Sequence, residues 1–298
     1  MTLLIAWPGS EAQTRGLAAT TGSSIIELQT RRFPDGEIYL RLLSSCAGQS
    51  VAVVAALDRP DEKTPGLLAL ADALRAEGAT RVGLVAPYLA YLRQDRQFNP
   101  GEAVTSRTYA RLLSSTFDWL LTVDPHLHRY HSLSEIYSIP TRVVHAAPAI
   151  ADWIGRIVNL PLLIGPDGES AQWVSDIAAR INAPWTTLEK TRRGDRDVEV
   201  SIPHIDQSRG RTPVLADDII SSGRTMLAAV KRLREAGTPT PICVGVHAIF
   251  AGDAYDALLA AGPRIVTCNT IAHPSNEIDL SSMMGAAADE FLAAKPAH

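Results

Sequence analysis

Cysteine is scarce in this sequence, whose 298 residues include only Cys46, Cys243 and Cys268. Their spacing does not match a zinc-binding knuckle, and three cysteines cannot all pair as disulfides. Each lies in or near an apolar stretch, where a cysteine usually fills space in a core. The cysteine content therefore argues against a disulfide-stabilised secreted domain and indicates a reducing compartment.

Long apolar runs are absent as well. No stretch approaches the roughly 18 residues that a membrane-spanning helix requires. The N-terminal segment MTLLIAWPGSEAQ lacks the basic start and the longer apolar centre of a signal peptide. We therefore expect a cytoplasmic protein that has no membrane partner.

The sequence has no excess of positive charge. It contains 28 lysine and arginine residues against 32 aspartate and glutamate residues, a formal net charge of −4. A surface that binds nucleic acid is normally strongly basic, so we expect no nucleic-acid partner. Any anionic ligand must be bound by local groups and not by the overall charge.

Short runs rich in Val, Ile and Leu recur along the chain and are typical of buried strands. Segments between most of them, such as RTMLAAVKRLREAG, have apolar residues at helical spacing. This alternation predicts an α/β fold with mainly parallel sheets flanked by helices. The runs fall into two sets, and a chain of this length accommodates about two domains, which we place at residues 1–143 and 144–298.

The stretch PVLADDIISSGRT, residues 213–225, places two adjacent carboxylates after an apolar strand. Asp217 and Asp218 repel each other unless a cation or strong hydrogen-bond donors neutralise them. The polar turn that follows predicts an anion site, built from hydroxyls and from the backbone N–H groups of a helix that begins near Thr225. A sugar phosphate fits this arrangement, because its hydroxyls can donate to the carboxylates and its phosphate can bind at the turn. The alternative is an acidic strand end that only caps a helix.

A second loop, GPDGESAQWV at residues 165–174, has the same design. Gly165 and Gly168 allow the backbone to approach a ligand, and Asp167 can accept from a hydroxyl or from a metal-bound water. Alone this pattern is weak. It becomes informative because two such loops follow two strands of one predicted domain.

The N-terminal half carries a different kind of loop. In APYLAYLRQDRQFNPGEAV, residues 86–104, Arg93, Gln94 and Arg96 lie within four residues. Such a cluster suits the oxygens of a polyphosphate, although a solvated basic turn is the alternative.

Three further segments complete the pattern. TVDPHLHRYH, residues 122–131, is rich in histidine but its spacing does not match a closed zinc site, and we expect only His126 to lie at a magnesium site. RRFPDGEIYLRL, residues 31–42, predicts a hairpin. The polar stretch 189–211 is interpreted as a second hairpin with an exposed tip, or as a solvated loop.

Seven segments, in order, resemble the ribose-phosphate pyrophosphokinase family, also called phosphoribosyl pyrophosphate (PRPP) synthases. They are FPDGE (33–37), PYLAYLRQDR (87–96), NPGEAVTSR (99–107), TVDPH (122–126), GPDGES (165–170), EKTRRGDRDVEV (189–200) and VLADDIISSGRT (214–225). The resemblance implies two phosphoribosyltransferase-like domains, an N-terminal one on the ATP side and a C-terminal one on the ribose 5-phosphate side. It also implies transfer of pyrophosphate from MgATP to the 1-hydroxyl of ribose 5-phosphate, giving PRPP and AMP, with Mg²⁺ as cofactor and self-association into dimers or hexamers.

The resemblance also implies roles for individual residues. Ribose 5-phosphate would be bound by Asp217, Asp218, Ser221, Ser222, Gly223 and Thr225. ATP would be bound by Phe33, Asp35, Glu37, Arg93, Gln94, Asp95 and Arg96, of which the first three form a loop that in this family reaches a neighbouring subunit's site. His126 and Asp167 would lie near magnesium. Lys190 and Arg192 would be catalytic, on a loop that closes over the reacting phosphates.

The chain departs from the family pattern in several places. Ser222 replaces a threonine, Arg224 replaces a glycine, where it either adds a charge to the phosphate or points into solvent, and residues 129–137 diverge. Two alternatives stay open. A nucleobase phosphoribosyltransferase would share the C-terminal half but gives no reason for YLRQDR or FPDGE. A non-catalytic regulatory homologue is disfavoured by the presence of Lys190, Arg192, His126 and Asp218.

Overall fold

The computed structural model describes residues 2–168, 170–193, 197–201 and 210–293. These residues form two compact units. The first comprises the described residues up to Val144 together with Thr270–Ala272 and the segment from Leu280 onward, and the second comprises His145–Asn269 and His273–Asp279. None of the described helices is long and apolar enough to cross a membrane.

The first unit is built on a parallel sheet. Its elements are β1 (Thr2–Ala6), α1 (Glu11–Thr21), β2 (Ser24–Ile26), β3 (Leu28–Arg32), β4 (Ile38–Leu42), β5 (Ser50–Val54), α2 (Pro60–Ala76), β6 (Arg81–Ala86), α3 (Thr105–Thr116), β7 (Leu120–Val123), a 3₁₀ turn (Leu133–Glu135), β8 (Thr141–Val144) and α8 (Ser281–Ala293). Six strands pair in the order β2-β1-β5-β6-β7-β8, all parallel. Strands β3 and β4 form the predicted hairpin.

The second unit has the same plan. Its elements are α4 (Ala147–Ile157), β9 (Pro161–Gly165), α5 (Ala171–Arg180), β10 (Trp185–Thr187), β11 (Glu189–Arg193), β12 (Asp197–Ser201), β13 (Thr212–Ile220), α6 (Arg224–Glu235), β14 (Ile242–Ala248), α7 (Ala254–Ala261), β15 (Arg264–Cys268) and β16 (Asn276–Ile278). The sheet order is β10-β9-β13-β14-β15-β16, again all parallel. Strands β11 and β12 pair antiparallel, which agrees with the hairpin predicted within residues 189–211. The predicted α/β fold with mainly parallel sheets is confirmed.

The central strands are buried on both faces, which explains their continuous apolar sequence. Residues 51–57, on and after β5, are all buried, as are the β6 residues from Val82 onward. Gly83 in β6 makes room for Trp119, since a Cβ atom at residue 83 would lie 1.9 Å from Trp119 Cε2. The core of the first unit therefore depends on one small residue opposite its largest buried side chain.

Helix α8 packs with the first unit, although it follows the whole of the second along the chain. The Phe291 ring stacks on Trp119 with 4.7 Å between centroids, and Arg81 donates to the Phe291 carbonyl at 2.7 Å. Gly16 and Gly285 allow α1 and α8 to approach closely, because a Cβ at either would clash with Ser281 or Thr20. The two compact units are not separated at one point of the chain, because the first also contains Thr270–Ala272 and the segment from Leu280 onward. The expected division into an ATP domain, residues 1–143, and a ribose 5-phosphate domain, residues 144–298, stays a prediction.

Replacing Gly83 with alanine is expected to lower the free energy of unfolding by about 1–3 kcal/mol, because overpacking forces buried neighbours to move. The midpoint of urea unfolding, followed by tryptophan fluorescence, measures the change. Gly168→Ala is the control, since a Cβ there meets nothing within 4 Å. Equal midpoints for the two variants would contradict the packing described at Trp119.

Candidate active site

The polar loops of the second unit follow the carboxyl ends of neighbouring strands. Strand β13 pairs with β9 on one side and with β14 on the other. The loop after β9 contains Asp167, and β13 itself carries Asp217 and Asp218 near its end. Ligands bind outside the carboxyl ends of the strands in open parallel sheets. The fold thus brings the two sequence-predicted loops to one edge of one sheet.

Three carboxylates influence one another at this edge. The Asp218 N–H donates to Asp217 Oδ1 at 2.9 Å. Burial raises the pKa of Asp217 well above its usual range, and the charges of Asp218 and Asp167 raise the pKa further. Such a group favours a proton or a cation at its carboxylate. The carboxylates therefore fit a divalent cation, and the predicted binding of ribose hydroxyls by Asp217 and Asp218 stays a prediction.

No group of three His, Cys, Asp or Glu side chains among the described residues forms a self-sufficient metal cage. Mg²⁺ seldom uses such a cage, because it keeps several waters and binds one or two carboxylates together with substrate phosphates. The donor set at Asp167, Asp217 and Asp218 matches this mode of binding.

The turn after β13 leads into the N-terminus of α6. Gly223 takes a left-handed conformation, φ 63°, and is the N-cap of α6 without any side-chain cap. Helix α6 therefore begins with N–H groups that no capping side chain satisfies. The hydroxyls of Ser221, Ser222 and Thr225 lie on this same turn. The positive φ of Gly223 favours glycine, and a Cβ there would also crowd Leu258 Cδ1 at 3.0 Å.

Arg224 replaces a glycine of the family pattern and is tolerated for a simple reason. It is the first residue of α6 and is exposed, so its bulk does not enter the tight part of the turn at Gly223. A positive charge at a helix N-terminus is unfavourable unless an anion lies nearby. An anion bound at this turn would offset that cost.

The turn after β13 is supported by residues that the sequence patterns did not identify. Phe250, just after β14, donates its N–H to the Ile220 carbonyl at 2.9 Å, and Ala251 donates to the Ser221 carbonyl at 3.1 Å. Phe250 has φ 38°, a strained conformation for an aromatic residue. Its ring packs against Tyr255 and His273, with centroids 5.0 and 4.6 Å away. No motif in the sequence identifies this aromatic support.

The loop after β9 is closed by its own hydrogen bonds. Ser170 Oγ donates to the Asp167 carbonyl at 2.7 Å, and the Ser170 N–H donates to Asp167 Oδ1 at 3.2 Å. Gly165 is required because a Cβ there would meet Ser170 Oγ at 2.3 Å. Glu169 lies outside the described residues. The loop holds Asp167 in place at the start of α5.

In the first unit the basic loop follows β6, the neighbour of β7. Arg93 and Arg96 are exposed, and Gln94 is half-buried. Asp95 differs from them: it is buried and paired with Arg129, whose Nη1 lies 2.7 Å from Asp95 Oδ1. The loop thus presents its basic side chains outward around one buried carboxylate. A direct contact between Asp95 and ATP stays a prediction.

The histidine segment follows β7. His126 is half-buried and His128 is exposed, and their Nε2 atoms lie 2.5 Å apart. Asp124 directly after the strand has φ 30°. The structure therefore places His126 at the carboxyl end of the strand next to the basic loop, and its predicted role at magnesium is untested.

Four of the six described non-glycine residues with positive φ follow the carboxyl ends of strands, and the other two, Leu160 and Asn182, precede β9 and β10. Arg59, Tyr91 and Asp124 follow β5, β6 and β7 with positive φ of 50°, 61° and 30°, as Phe250 does after β14. Non-glycine residues in this region cost about 1–3 kcal/mol each and cluster at functional sites. Tyr91 and Asp124 lie in loops that the sequence patterns selected, whereas Arg59 and Phe250 do not.

The remaining predicted residues lie on the two hairpins. Phe33 is 38% exposed at the β3–β4 turn, with the Arg31 guanidinium 4.4 Å from its ring centre, and the Glu37 N–H donates to Asp35 Oδ1 at 3.2 Å. Lys190 and Arg192 belong to β11, where their backbones pair with Val200 and Val198. Their side chains lie outside the described residues.

Comparison with known proteins decides the family. The model of the N-terminal domain of ribose phosphate pyrophosphokinase matches residues 3–116, and the model of the phosphoribosyl transferase domain matches residues 132–281. This chain belongs to the ribose-phosphate pyrophosphokinase family. The enzyme assignment and the two phosphoribosyltransferase-like domains expected from the sequence are thereby confirmed.

Individual relatives agree with this family. A ribose-phosphate pyrophosphokinase of Methanopyrus kandleri is 33% identical over 93% of this chain and 95% of its own length. One of Methanobrevibacter smithii is 30% identical over 94% of this chain and 97% of its own length. The crystal structure of phosphoribosylpyrophosphate synthetase from Mycobacterium smegmatis superposes with a TM-score of 0.84 at 22% identity, covering 98% of this chain and 99% of that one. That structure shows the same fold.

The raised pKa of Asp217 leads to a pH-dependent stability. The folded state favours protonated Asp217, so this contribution is present below the unfolded pKa of about 3.9 and is lost as pH rises through the raised pKa. Asp217→Asn, which stays neutral, should lack this loss. In chelator, its thermal midpoint should exceed that of the wild type by a margin that grows as pH rises above about 3.9, at about 2–4 °C for each kcal/mol.

Asp256→Asn on the exposed face of α7 is the matched control and should follow the wild type. Adding Mg²⁺ should reduce the difference in thermal midpoint between Asp217→Asn and the wild type, because the wild type keeps the carboxylate that favours a bound cation. A margin that shrinks with rising pH in chelator would contradict the assignment of a raised pKa.

Proposed function

We propose that this enzyme transfers the β,γ-pyrophosphoryl group of MgATP to the 1-hydroxyl of ribose 5-phosphate, giving PRPP and AMP. The observation that carries the proposal is the edge of the second unit's sheet, where a carboxylate pair precedes an uncapped helix N-terminus. This edge matches a ligand with vicinal hydroxyls at one end and a phosphate at the other. Family membership supports the same reaction.

Ribose 5-phosphate would bind at that edge. The 5-phosphate would accept hydrogen bonds from the N–H groups at Gly223 and from the hydroxyls of Ser221, Ser222 and Thr225. The carboxylates of Asp217 and Asp218 would accept hydrogen bonds from the ribose hydroxyls. The sugar would be held at both ends, which fixes the direction of its 1-hydroxyl.

ATP would bind to the first unit. Arg93, Gln94 and Arg96 would contact the phosphates, because guanidinium and amide donors match phosphate oxygens. Phe33, Asp35 and Glu37 would bind adenine from the β3–β4 turn, and in this family that turn reaches a neighbouring subunit. Self-association into dimers or hexamers is therefore part of the proposal.

In the second unit Asp167 would bind magnesium together with substrate phosphates and water, and Asp217 and Asp218 would hold it through its waters. In the first unit His126 would lie near magnesium that accompanies the ATP phosphates. Bound there, it supplies positive charge against the phosphate oxygens. The fit rests on the three mutually repelling carboxylates and on the raised pKa of Asp217. Histidine is the weaker part of the fit, because Mg²⁺ prefers oxygen ligands.

The chemistry consists mainly of positioning. A bond forms between the ribose 1-oxygen and the β-phosphorus, the bond between that phosphorus and the oxygen of the α-phosphate breaks, and the hydroxyl proton is lost as AMP leaves. Lys190 and Arg192 would stabilise the negative charge that spreads over the transferred group. Asp217 and Asp218 would orient the attacking hydroxyl in line with the leaving oxygen.

The test is an assay for AMP and PRPP with purified protein. We expect AMP release that requires ATP, ribose 5-phosphate and Mg²⁺ together, with PRPP formed in equal amount. Nucleotide formation from PRPP and a base without ATP consumption would instead establish a nucleobase phosphoribosyltransferase. Binding of both substrates without turnover would establish a non-catalytic homologue.

Replacing Lys190 with alanine is expected to lower kcat by about two orders of magnitude, roughly 3 kcal/mol in barrier, if it acts as one preorganised donor to the developing charge. KM values for both substrates should change much less. The exposed Lys231 on α6 provides a control, since Lys231→Ala removes the same charge. Near-normal turnover of the Lys190 variant would remove it from the mechanism.

A further inference from the structure

We propose that Arg129 and Tyr130 are positioning residues that hold the basic loop of residues 93–96 in the conformation that binds a nucleotide triphosphate. This inference rests on the proposed function, because it assigns the ATP phosphates to that loop. It concerns the segment after β7, where this sequence departs from the family pattern.

The first support for the loop is an ion pair between the buried Asp95 and the exposed Arg129. Asp95 is 5% exposed, and a buried carboxylate without a partner is strongly destabilising. Arg129 Nη1 donates to Asp95 Oδ1 at 2.7 Å and to Oδ2 at 3.0 Å. The pair fixes the side chain in the middle of the basic loop. With Asp95 turned inward, Arg93 and Arg96 on either side of it are exposed.

The second support acts on the backbone. The Tyr130 hydroxyl donates to the Asp95 carbonyl at 3.1 Å and lies 3.2 Å from Ser106 Oγ. The Ser106 N–H in turn donates to the Gln94 carbonyl at 3.3 Å. Two consecutive carbonyls of the loop are therefore tied to fixed groups. One of these groups belongs to α3 and the other to the segment after β7.

A third contact concerns Arg96 itself. The exposed ring of Phe98 has the Arg96 guanidinium 5.0 Å and the Arg129 guanidinium 5.4 Å from its centre. Both distances are within the range of cation–π attraction. Arg129 thus reaches the buried carboxylate and the aromatic platform of Arg96 at once. It adds a positive charge to the same loop.

These contacts predict that changes at Arg129 and Tyr130 weaken the binding of MgATP and not that of ribose 5-phosphate. Arg129→Gln removes the charge that neutralises Asp95, so the loop should shift and KM for MgATP should rise about tenfold to a hundredfold, the scale of a roughly 1 Å misplacement. KM for ribose 5-phosphate should stay within about twofold of the wild type, because the proposed site for that substrate lies in the second unit and is not displaced. Tyr130→Phe, which keeps the ring, should show a smaller rise in the same constant.

A conservative variant separates positioning from general destabilisation. Both contacts to Asp95 come from one nitrogen, so a lysine ammonium can replace them in part. Arg129→Lys should therefore recover much of the affinity for MgATP. The control is Arg15→Gln on the exposed face of α1, which removes an equal charge and should leave both KM values unchanged.

Hydrogen exchange of the loop amides provides a readout that does not need turnover. Exchange over residues 92–107 should be faster in Arg129→Gln and Tyr130→Phe than in the wild type and in Arg15→Gln. Unchanged exchange, or equal rises in the two KM values, would overturn the inference. If the wild type releases no AMP, the proposed reaction fails, and exchange together with MgATP calorimetry still decides whether the two residues hold the loop.

Discussion

Mutual repulsion among carboxylates at the end of β13 is the constraint on which the rest of the second unit depends. Asp217 and Asp218 extend from a buried strand, and Asp167 from the neighbouring loop adds to their charge. Burial and the charges of Asp218 and Asp167 raise the pKa of Asp217, so a cation bound at this edge would stabilise the folded state.

In the first unit, the carboxylate of Asp95 is paired with an arginine. Asp95 lies within a basic loop, yet it is buried and neutralised by Arg129, so it anchors the loop and leaves the surface to Arg93 and Arg96. A carboxylate at the carboxyl edge of a sheet can thus attract a cation, or it can fix the backbone of a loop that carries arginine side chains. Burial and the presence of a partner distinguish these roles, and sequence alone does not show either.

Local signals predicted much of the fold. Apolar runs identified the central strands, FPDG identified the β3–β4 turn, and the Asp-Asp-Ile-Ile-Ser-Ser stretch identified the loop before α6. The misses all depend on contacts between distant parts of the chain. Phe250 supports a turn about thirty residues earlier, and Arg129 meets a carboxylate 34 residues earlier. Such contacts are set by the sheet order, which a single sequence does not reveal.

The packing of α8 bears on how the chain acquires its structure. Trp119 and the close face of α1 belong to the first half of the chain, but their partners Phe291, Ser281 and Gly285 are synthesised after the entire second unit. The packing of the first core is therefore completed only once these late residues have been synthesised. Before then, Trp119 and the glycine-bearing face of α1 lack the partners that cover them in the folded chain.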